Sequence, residues 1–412
     1  MAGKSIDLVL QLRQEIVDGR YAPGERIPSQ LELADRFDVA GMTVQMALKH
    51  LERDGFIEAR GPLGTFVSET PPHLNQYALI FPMDPVAPHH DKTWSRYYQA
   101  LTQAAIRFQA QTGRRMLMFH GIDWHTDSED RRRLITYMEA HRVAGVIFSN
   151  GIGSWMENTP ILDLPGIPRV VIGSGQQFAH IPVVKLDSAM WIDKALDHLA
   201  ALGRRRVALL DYGQSDDFYA RLQAGLAARG MVSHRRWRQF VSLNVPAGAS
   251  HDVELLMNDR ERPDALLVED DNFVEQALAG LTAAGVSDVA VIGHANFPVA
   301  PAKVQPMRLL GYDAHRTLRA CVDLIDRQRA GEQVPGETMA PALWEEEVSG
   351  QRAVGSGQNG TGASRLQKRM EMPEGLGAGT PHGATESRTR DVGGSSRKAA
   401  GRKQKSELAV SV

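Results

Sequence analysis

In "FDVAGMTVQMALKHLERDGFI", Phe37 to Ile57, the apolar residues Val44, Ala47, Leu48 and Leu51 recur at helical spacing. The other face offers Gly41, Thr43, Gln45, Met46, Lys49 and His50. Those side chains can do a particular chemistry. A glutamine can pair with the N6/N7 edge of adenine, and a threonine can donate to a phosphate or touch a thymine methyl group. Lys49, His50 and Arg53 can meet backbone phosphates, or they form a solvated face beside Glu52 and Asp54. Met46 reads as surface or packing. Arg26 and Ser29 stand just before the preceding helix, and Arg60 leads into a turn. There Gly61 and Gly64 lack side chains, so their amides can approach another backbone closely. Together these residues suggest a surface that reads nucleic acid.

A second group suits a small ligand. Arg221 offers a fixed fork of donors for vicinal hydroxyls or a carboxylate, or it pairs with Asp216 or Asp217 on the surface. Asp187 and Asp271 end strand-like runs, where each can accept from hydroxyls or cap the next helix. His294 and Asn296 follow a later run. Trp94, Tyr97, His120 and Asn150 follow earlier ones, where each either lines an opposite wall or simply packs. A ring such as Trp94 can stack on a pyranose face.

The elements that must hold these residues come in three blocks. In residues 1–69, Leu8, Leu12 and Ile16 mark a helix that Gly19 ends. Ser29 and Glu32 form a capping-box signature for a second helix. The opening stretch is a third, uncapped at Ala40, and "FIEARGPLGTFVSE" reads as a hairpin. Residues 70–75 are a Pro-containing connection. From residue 76 to 349, strand candidates alternate with amphipathic helices: "YALIFP", "RRMLMFH", "VAGVIFS", "PRVVIGS", "VVKLD", "RVALLDY", "RQFVSL", "DALLVED", "DVAVIGH" and "PMRLLG". That alternation predicts parallel sheet covered on both faces, and about ten strands divide better into two subdomains than one. Residues 350–412, rich in Gly, Ser, Ala and charge, are expected to be a disordered tail. It holds eleven Lys/Arg against five Asp/Glu, so it reads as a solvated segment or a non-specific anchor for phosphates.

Bulk properties narrow the classes. The 412 residues carry a formal net charge of −2, so no whole-chain field pulls toward nucleic acid or an anionic membrane. Residues 1–70 hold eight Lys/Arg against eleven Asp/Glu, an unusual balance for a domain that approaches a polyanion. The single cysteine, Cys321, forms no internal disulfide and reads as a small buried hydrophobe. No signal peptide and no membrane-length apolar run is visible, so a cytoplasmic location is expected. "HTDSED" and "PHHDK" lack metal-ligand spacing, and no Walker, Rossmann or nucleophile-elbow pattern occurs. Neither enzyme, metal nor cofactor is expected.

"YAPGERIPSQLELADRFDVAGMTVQMALKHLERDGFIEARGPLGTFV" resembles the GntR-type winged helix-turn-helix over its full length. The shared frame includes Pro23-Gly24, Ile27-Pro28-Ser29, Leu33-Ala34, Thr43-Val44, Ala47-Leu48, Gly55 and Gly64-Thr65-Phe66-Val67. The resemblance implies operator binding as a dimer, with the third helix in the major groove and the wing along the minor groove. The family often has arginine where this chain has Leu31, Gly41 and Gln45.

Residues 76–348 resemble the LacI/GalR effector domain. The likeness rests on "VVKLDSAMWIDKALDHLAALGRRRVALLDY", on Arg221 and Gly225 in "DDFYARLQAGLAARG", and on "RPDALLVEDDNFVEQALAGLTAAGVSDVAVIGHANFP". That family usually has an aspartate where Ala295 stands, and its minor-groove linker helix is missing here. The resemblances together imply a fold and a function. The fold is an N-terminal winged helix-turn-helix plus a two-lobed, doubly wound α/β sensor. The function is a transcription regulator, by family habit a repressor, that senses a sugar or related metabolite. A second reading is a sensor whose specific DNA binding is degraded and which acts through a protein partner.

Overall fold

The computed structural model describes residues 2–85, 95–122, 127–151, 153, 156–173, 178 and 180–349. Trp94 and the basic tail from residue 350 lie outside the described residues.

The N-terminal unit contains helices α1 (Ala2–Val17), α2 (Gln30–Phe37) and α3 (Gly41–Arg53), followed by strands β1 (Ile57–Ala59) and β2 (Thr65–Val67). Its core holds apolar residues read from the sequence, Leu8, Leu12, Ile16, Leu33, Val44, Ala47 and Leu51, packed together with Phe56. The capping box forms in full, with the Ser29 hydroxyl accepting from Glu32 N and Glu32 Oε2 accepting from Ser29 N. Asp38 ends α2 in the left-handed region at φ 50°, a conformation that aspartate tolerates better than most residues. Ala40 caps α3 with no side-chain hydrogen bond. The strands pair antiparallel, Ile57 opposite Val67, to make the wing.

The connection holds a one-turn helix, α4 (Pro72–Asn75), buried at Pro72 and His73. His73 stacks on Phe56 at 5.7 Å, and Arg329 donates to the Leu74 carbonyl at 3.3 Å.

The rest is two lobes. The chain first builds β3 (Gln76–Ile80), α5 (Arg96–Thr112), β4 (Arg115–Phe119), α6 (Glu129–Glu139), β5 (Gly145–Phe148), α7 (Pro160–Asp163), β6 (Arg169–Ile172) and β7 (Val183–Leu186). It then crosses to a second lobe for α8 (Ser188–Ala201), β8 (Val207–Asp211), α9 (Asp216–Ala228), β9 (Arg238–Phe240), α10 (Gly248–Met257), β10 (Ala265–Val268), α11 (Val274–Ala283), β11 (Ala290–Phe297) and β12 (Arg308–Asp313). It returns to the first lobe for α12 (Ala314–Arg329) and β13 (Glu337–Ala340), and ends the sheets in the second with β14 (Leu343–Trp344). Each sheet has six strands, in the orders β13-β7-β6-β5-β3-β4 and β14-β12-β11-β10-β8-β9. Within these two sheets all pairs are parallel except β12 with β14. Every strand expected from the sequence is present, and two short ones, β13 and β14, were not foreseen.

The N-terminal unit is held to the first lobe by a buried charge. Asp54, at the C-cap of α3, accepts from Arg13 of α1 at 2.6 Å, and both side chains are under a tenth exposed. Arg142 of the first lobe reaches the other carboxylate oxygen at 3.7 Å. Removing one partner of a buried pair leaves an uncompensated charge, at a cost of about 3–5 kcal/mol. Arg13→Met should therefore lower the opening free energy of α1 and α3, read by amide hydrogen exchange on the full chain, by about 3 kcal/mol. A change under about 1 kcal/mol would show that Asp54 needs only Arg142.

Candidate DNA-reading face and effector cleft

The outer face of α3 is exposed at Met42, Gln45, Met46, Lys49 and His50, while Thr43 is half-buried. The Gln30 amide donates to the Gly41 carbonyl at 2.7 Å and ties the first turn of α2 to the start of α3. At the wing, Arg26 folds over Gly64: a Cβ added there would lie 2.7 Å from Arg26 Nε, and Gly64 has φ 107°. The backbone conformation favours glycine at this turn, while the Arg26 end could shift to admit a Cβ.

The structure brings Arg26, Gly61 and Gly64 together at the wing, and Gln45 and Lys49 together on α3. It commits other expected contacts elsewhere. Ser29 uses its hydroxyl oxygen in the capping box. Arg60 lies over the Phe66 ring at 4.6 Å, 3.3 Å from Glu69 and 3.6 Å from Glu58. His50 sits 2.5 Å from an Arg53 nitrogen and 4.0 Å from Asp54.

The cleft lies at the carboxyl ends of the two sheets, where ligands bind in folds of this kind. Arg221 is not part of it. Its guanidinium pairs at 2.5 Å with Asp193 of α8 and is half exposed, whereas the next residue, Leu222, is buried. The expected ligand arginine is therefore a link between α8 and α9, with a partner other than the nearby Asp216 or Asp217. Asp187 caps α8, accepting from Met190 N at 2.9 Å.

Asp271 caps no helix. One oxygen, Oδ2, accepts from the backbone and side-chain nitrogens of Asn296 at 2.9 and 3.0 Å. The other, Oδ1, is buried with no hydrogen-bond partner among the described residues. Asn296 also bonds His294, so His294 and Asn296 of β11 and Asp271, just past β10, form one chain. His294 lies 5.5 Å from the Tyr312 ring and 6.3 Å from Trp191. Burial holds its imidazole down to about 4, so it stays neutral.

Glu269 and Asp270 directly precede Asp271, and Asp211 follows the paired residues of the neighbouring strand. Burial, then the neighbouring negative charge, pushes Glu269 well above the usual carboxylate range and Asp271 up to about 7. Gln214 donates to Glu269 at 2.7 Å. Burial, together with Glu269 and Asp270, raises the Tyr212 phenol to about 12.

On the first-lobe side, the Tyr97 hydroxyl donates to the Ser149 carbonyl at 2.6 Å. The Ser149 hydroxyl, like Asp271 Oδ1, is buried without a partner among the described residues. Asn150 is exposed; its amide oxygen accepts from Gly151 N at 2.8 Å, and its side chain bonds Tyr98. His120 stacks on Phe81 at 5.2 Å and is oriented by Asp130, whose carboxylate accepts from His120 N at 2.7 Å. Arg96, at the start of α5, bridges the cleft, with its backbone nitrogen 3.3 Å from Asn272 Oδ1 and its guanidinium 2.8 Å from Glu275. Tyr97 is among the residues read from the sequence as lining the opposite wall, whereas Ser149, Glu269 and Arg96 were not singled out. Their one signal is position just past a strand or at a helix start.

A carboxyl whose folded pKa lies above its unfolded value stabilises the fold while protonated, and that contribution is lost as pH rises through the folded pKa. Stability should thus fall between about pH 4 and 7 on account of Asp271. Asp271→Asn should flatten that slope in urea titrations at pH 5 and pH 8, leaving the part due to Glu269. An unchanged slope would mean that Asp271 is ionised throughout.

Comparison with known proteins agrees with both halves. Residues 5–67 match the model of bacterial regulatory proteins, gntR family, and residues 196–343 match a periplasmic binding protein-like domain. The arabinose metabolism transcriptional repressor of Geobacillus stearothermophilus is 23% identical over 340 residues, covering 73% of this chain and 85% of that protein. The regulator Rv1152 of Mycobacterium tuberculosis is 41% identical over 66 residues, 15% of this chain and 54% of its own. The crystal structure of a LacI transcriptional regulator from a Rhodococcus species superposes with a TM-score of 0.51 at 16% identity, covering 65% of this chain and 96% of that one. At that identity the likeness is one of fold. The chain joins a winged helix-turn-helix of the gntR family of bacterial regulators to a two-lobed, periplasmic binding protein-like domain, and it is a DNA-binding transcription regulator.

Proposed function

We propose that the protein is a sugar-responsive transcriptional repressor. It works in the cytoplasm as a homodimer on a pseudo-palindromic operator and catalyses no reaction. Among the described residues no helix is long and apolar enough to cross a membrane, which is consistent with that location. The observation that carries the reading is the pair of buried, unpartnered oxygens at the cleft, Asp271 Oδ1 and Ser149 Oγ. A buried polar group without a partner costs about 1–3 kcal/mol, and a polyol inserted between the lobes can satisfy one on each wall. The name of the Geobacillus relative points to a pentose such as arabinose. Arg96 already links the lobes across the cleft, and a sugar held between Asp271 and Ser149 would favour that closed arrangement. In a dimer, closure changes the spacing of two α3 helices on the two half-sites. The reading in which DNA binding is lost is not favoured, because a relative that matches across both halves is named a transcriptional repressor.

A thermal-shift screen with L-arabinose, other pentoses, hexoses and sugar acids tests this. Ligand at 100 times Kd should stabilise the protein by about 2.7 kcal/mol, and the same sugar should weaken operator binding by tenfold or more. A screen in which no sugar shifts the transition would sink the proposal.

The reading face makes a second expectation. Gly41 has ordinary helical backbone, and a Cβ there meets only the flexible Gln30 side chain at 3.3 Å, so an arginine can be accommodated. Gly41→Arg with Gln45→Arg should tighten DNA binding about tenfold or more and steepen the log K against log salt slope by roughly 2. No change in either quantity would place DNA on another face.

A further inference from the structure

Met42, Gln45, Met46 and Lys49 follow one another at steps of three, one and three residues. They form a single outward ridge opposite the buried Val44, Ala47 and Leu51. The ridge is unusually apolar for its position: Met42 is 67% exposed and Met46 55%. Leu31 is 80% exposed on the first turn of α2, which the Gln30–Gly41 hydrogen bond holds beside the first turn of α3. None of the three belongs to the hydrophobic core of the unit.

The ridge carries one cation, Lys49, and residues 1–70 hold more acids than bases. Attraction to phosphates therefore contributes less here than in a basic reader. Base edges must supply more of the discrimination. In the major groove the one apolar group on a base edge is the C5-methyl of thymine. Methionine suits such a contact, because its unbranched thioether adapts to a small apolar knob. The patch is continuous with Gln45 and Lys49 on the helix that reads DNA, which makes the major groove its occupant.

We propose that Met42, Met46 and Leu31 read thymine C5-methyl groups. Operator discrimination then rests on van der Waals contact with methyls, with Gln45 pairing to adenine, in place of arginine–guanine pairs. This rests on the reading that the protein binds an operator sequence-specifically.

Deoxyuridine supplies the test, since it lacks the methyl group and keeps every hydrogen-bonding atom of thymidine. Full-length protein first selects duplexes from a random-sequence library. The selected duplex is then made with deoxyuridine at each thymidine in turn, and binding is measured for wild type and for Met42→Ala/Met46→Ala. Wild type should lose about fourfold per contacted methyl, and at the thymidines met by Met42 or Met46 the double variant should bind both duplexes alike, any penalty left being the one assigned to Leu31. Both substitutions are at exposed positions, and matched thermal unfolding confirms an intact fold.

Equal wild-type affinity for the two duplexes overturns methyl readout while leaving operator binding in place. A uridine penalty that persists undiminished in the double variant assigns the effect to other groups and also overturns it. So does loss of the dimer in the double variant with the penalty retained, because the patch would then serve self-association. Failure to select any sequence overturns both this proposal and the operator-binding reading.

Discussion

The carboxylate of Asp54 sits where elementary electrostatics disfavours it. It ends α3, at the negative pole of the helix dipole, and it is shielded from water. Arg13 at 2.6 Å and Arg142 at 3.7 Å make that position tenable. α3 is thereby tied to α1 on one side and to the first lobe on the other. A buried pair of this kind adds little net stability compared with apolar packing, but it penalises every arrangement that separates its members. The neighbouring His73, held neutral with a pKa of about 4 by burial and by nearby Arg329 and His141, stacks on Phe56 and fills the same junction without adding charge.

The cleft uses buried carboxylates to the opposite end. Asp54 has arginines on both oxygens. Asp271 has Asn296 on one oxygen and nothing among the described residues on the other. Paired burial fixes geometry, whereas half-paired burial leaves a preference for something that can donate. The neutral His294 and the raised Glu269 extend the same character, so this wall of the cleft offers hydrogen-bonding groups with less formal charge than its residue types suggest.

Much of this was legible in the sequence because it depends on local pattern. The capping box needs only Ser29 and Glu32, three residues apart, and the buried parallel strands announce themselves as short apolar runs. β13 escaped notice because Glu337–Ala340 is an edge strand whose exposure alternates without an apolar run, and β14 has only two residues. Arg221 was misplaced by one helical step, about 100°, which separates a solvent-facing guanidinium from the buried Leu222 beside it. The contacts that matter most in the site join residues far apart in the chain, such as Asp271 with Asn296, Asp54 with Arg142 and Arg96 with Glu275. No periodicity encodes them, because adjacency across strands and lobes is decided by the sheet order.

α12 begins at Ala314, directly after the chain leaves the second lobe, and its last residue, Arg329, touches the connection to the reader. Sixteen residues span about 24 Å at 1.5 Å per residue. The helix is packed into the first-lobe core along its length, and Ile325 sits so close to Gly145 that a Cβ there would lie 2.5 Å away. It is therefore a strut and not a lever: it holds the lobe crossing and the reader at a set separation. N-terminal unit, strut and first lobe are thus joined in one packed block, by α12 and by the Asp54–Arg142 contact. On the proposed function, what the second lobe touches in a dimer would be the surface through which a sugar acts on DNA binding.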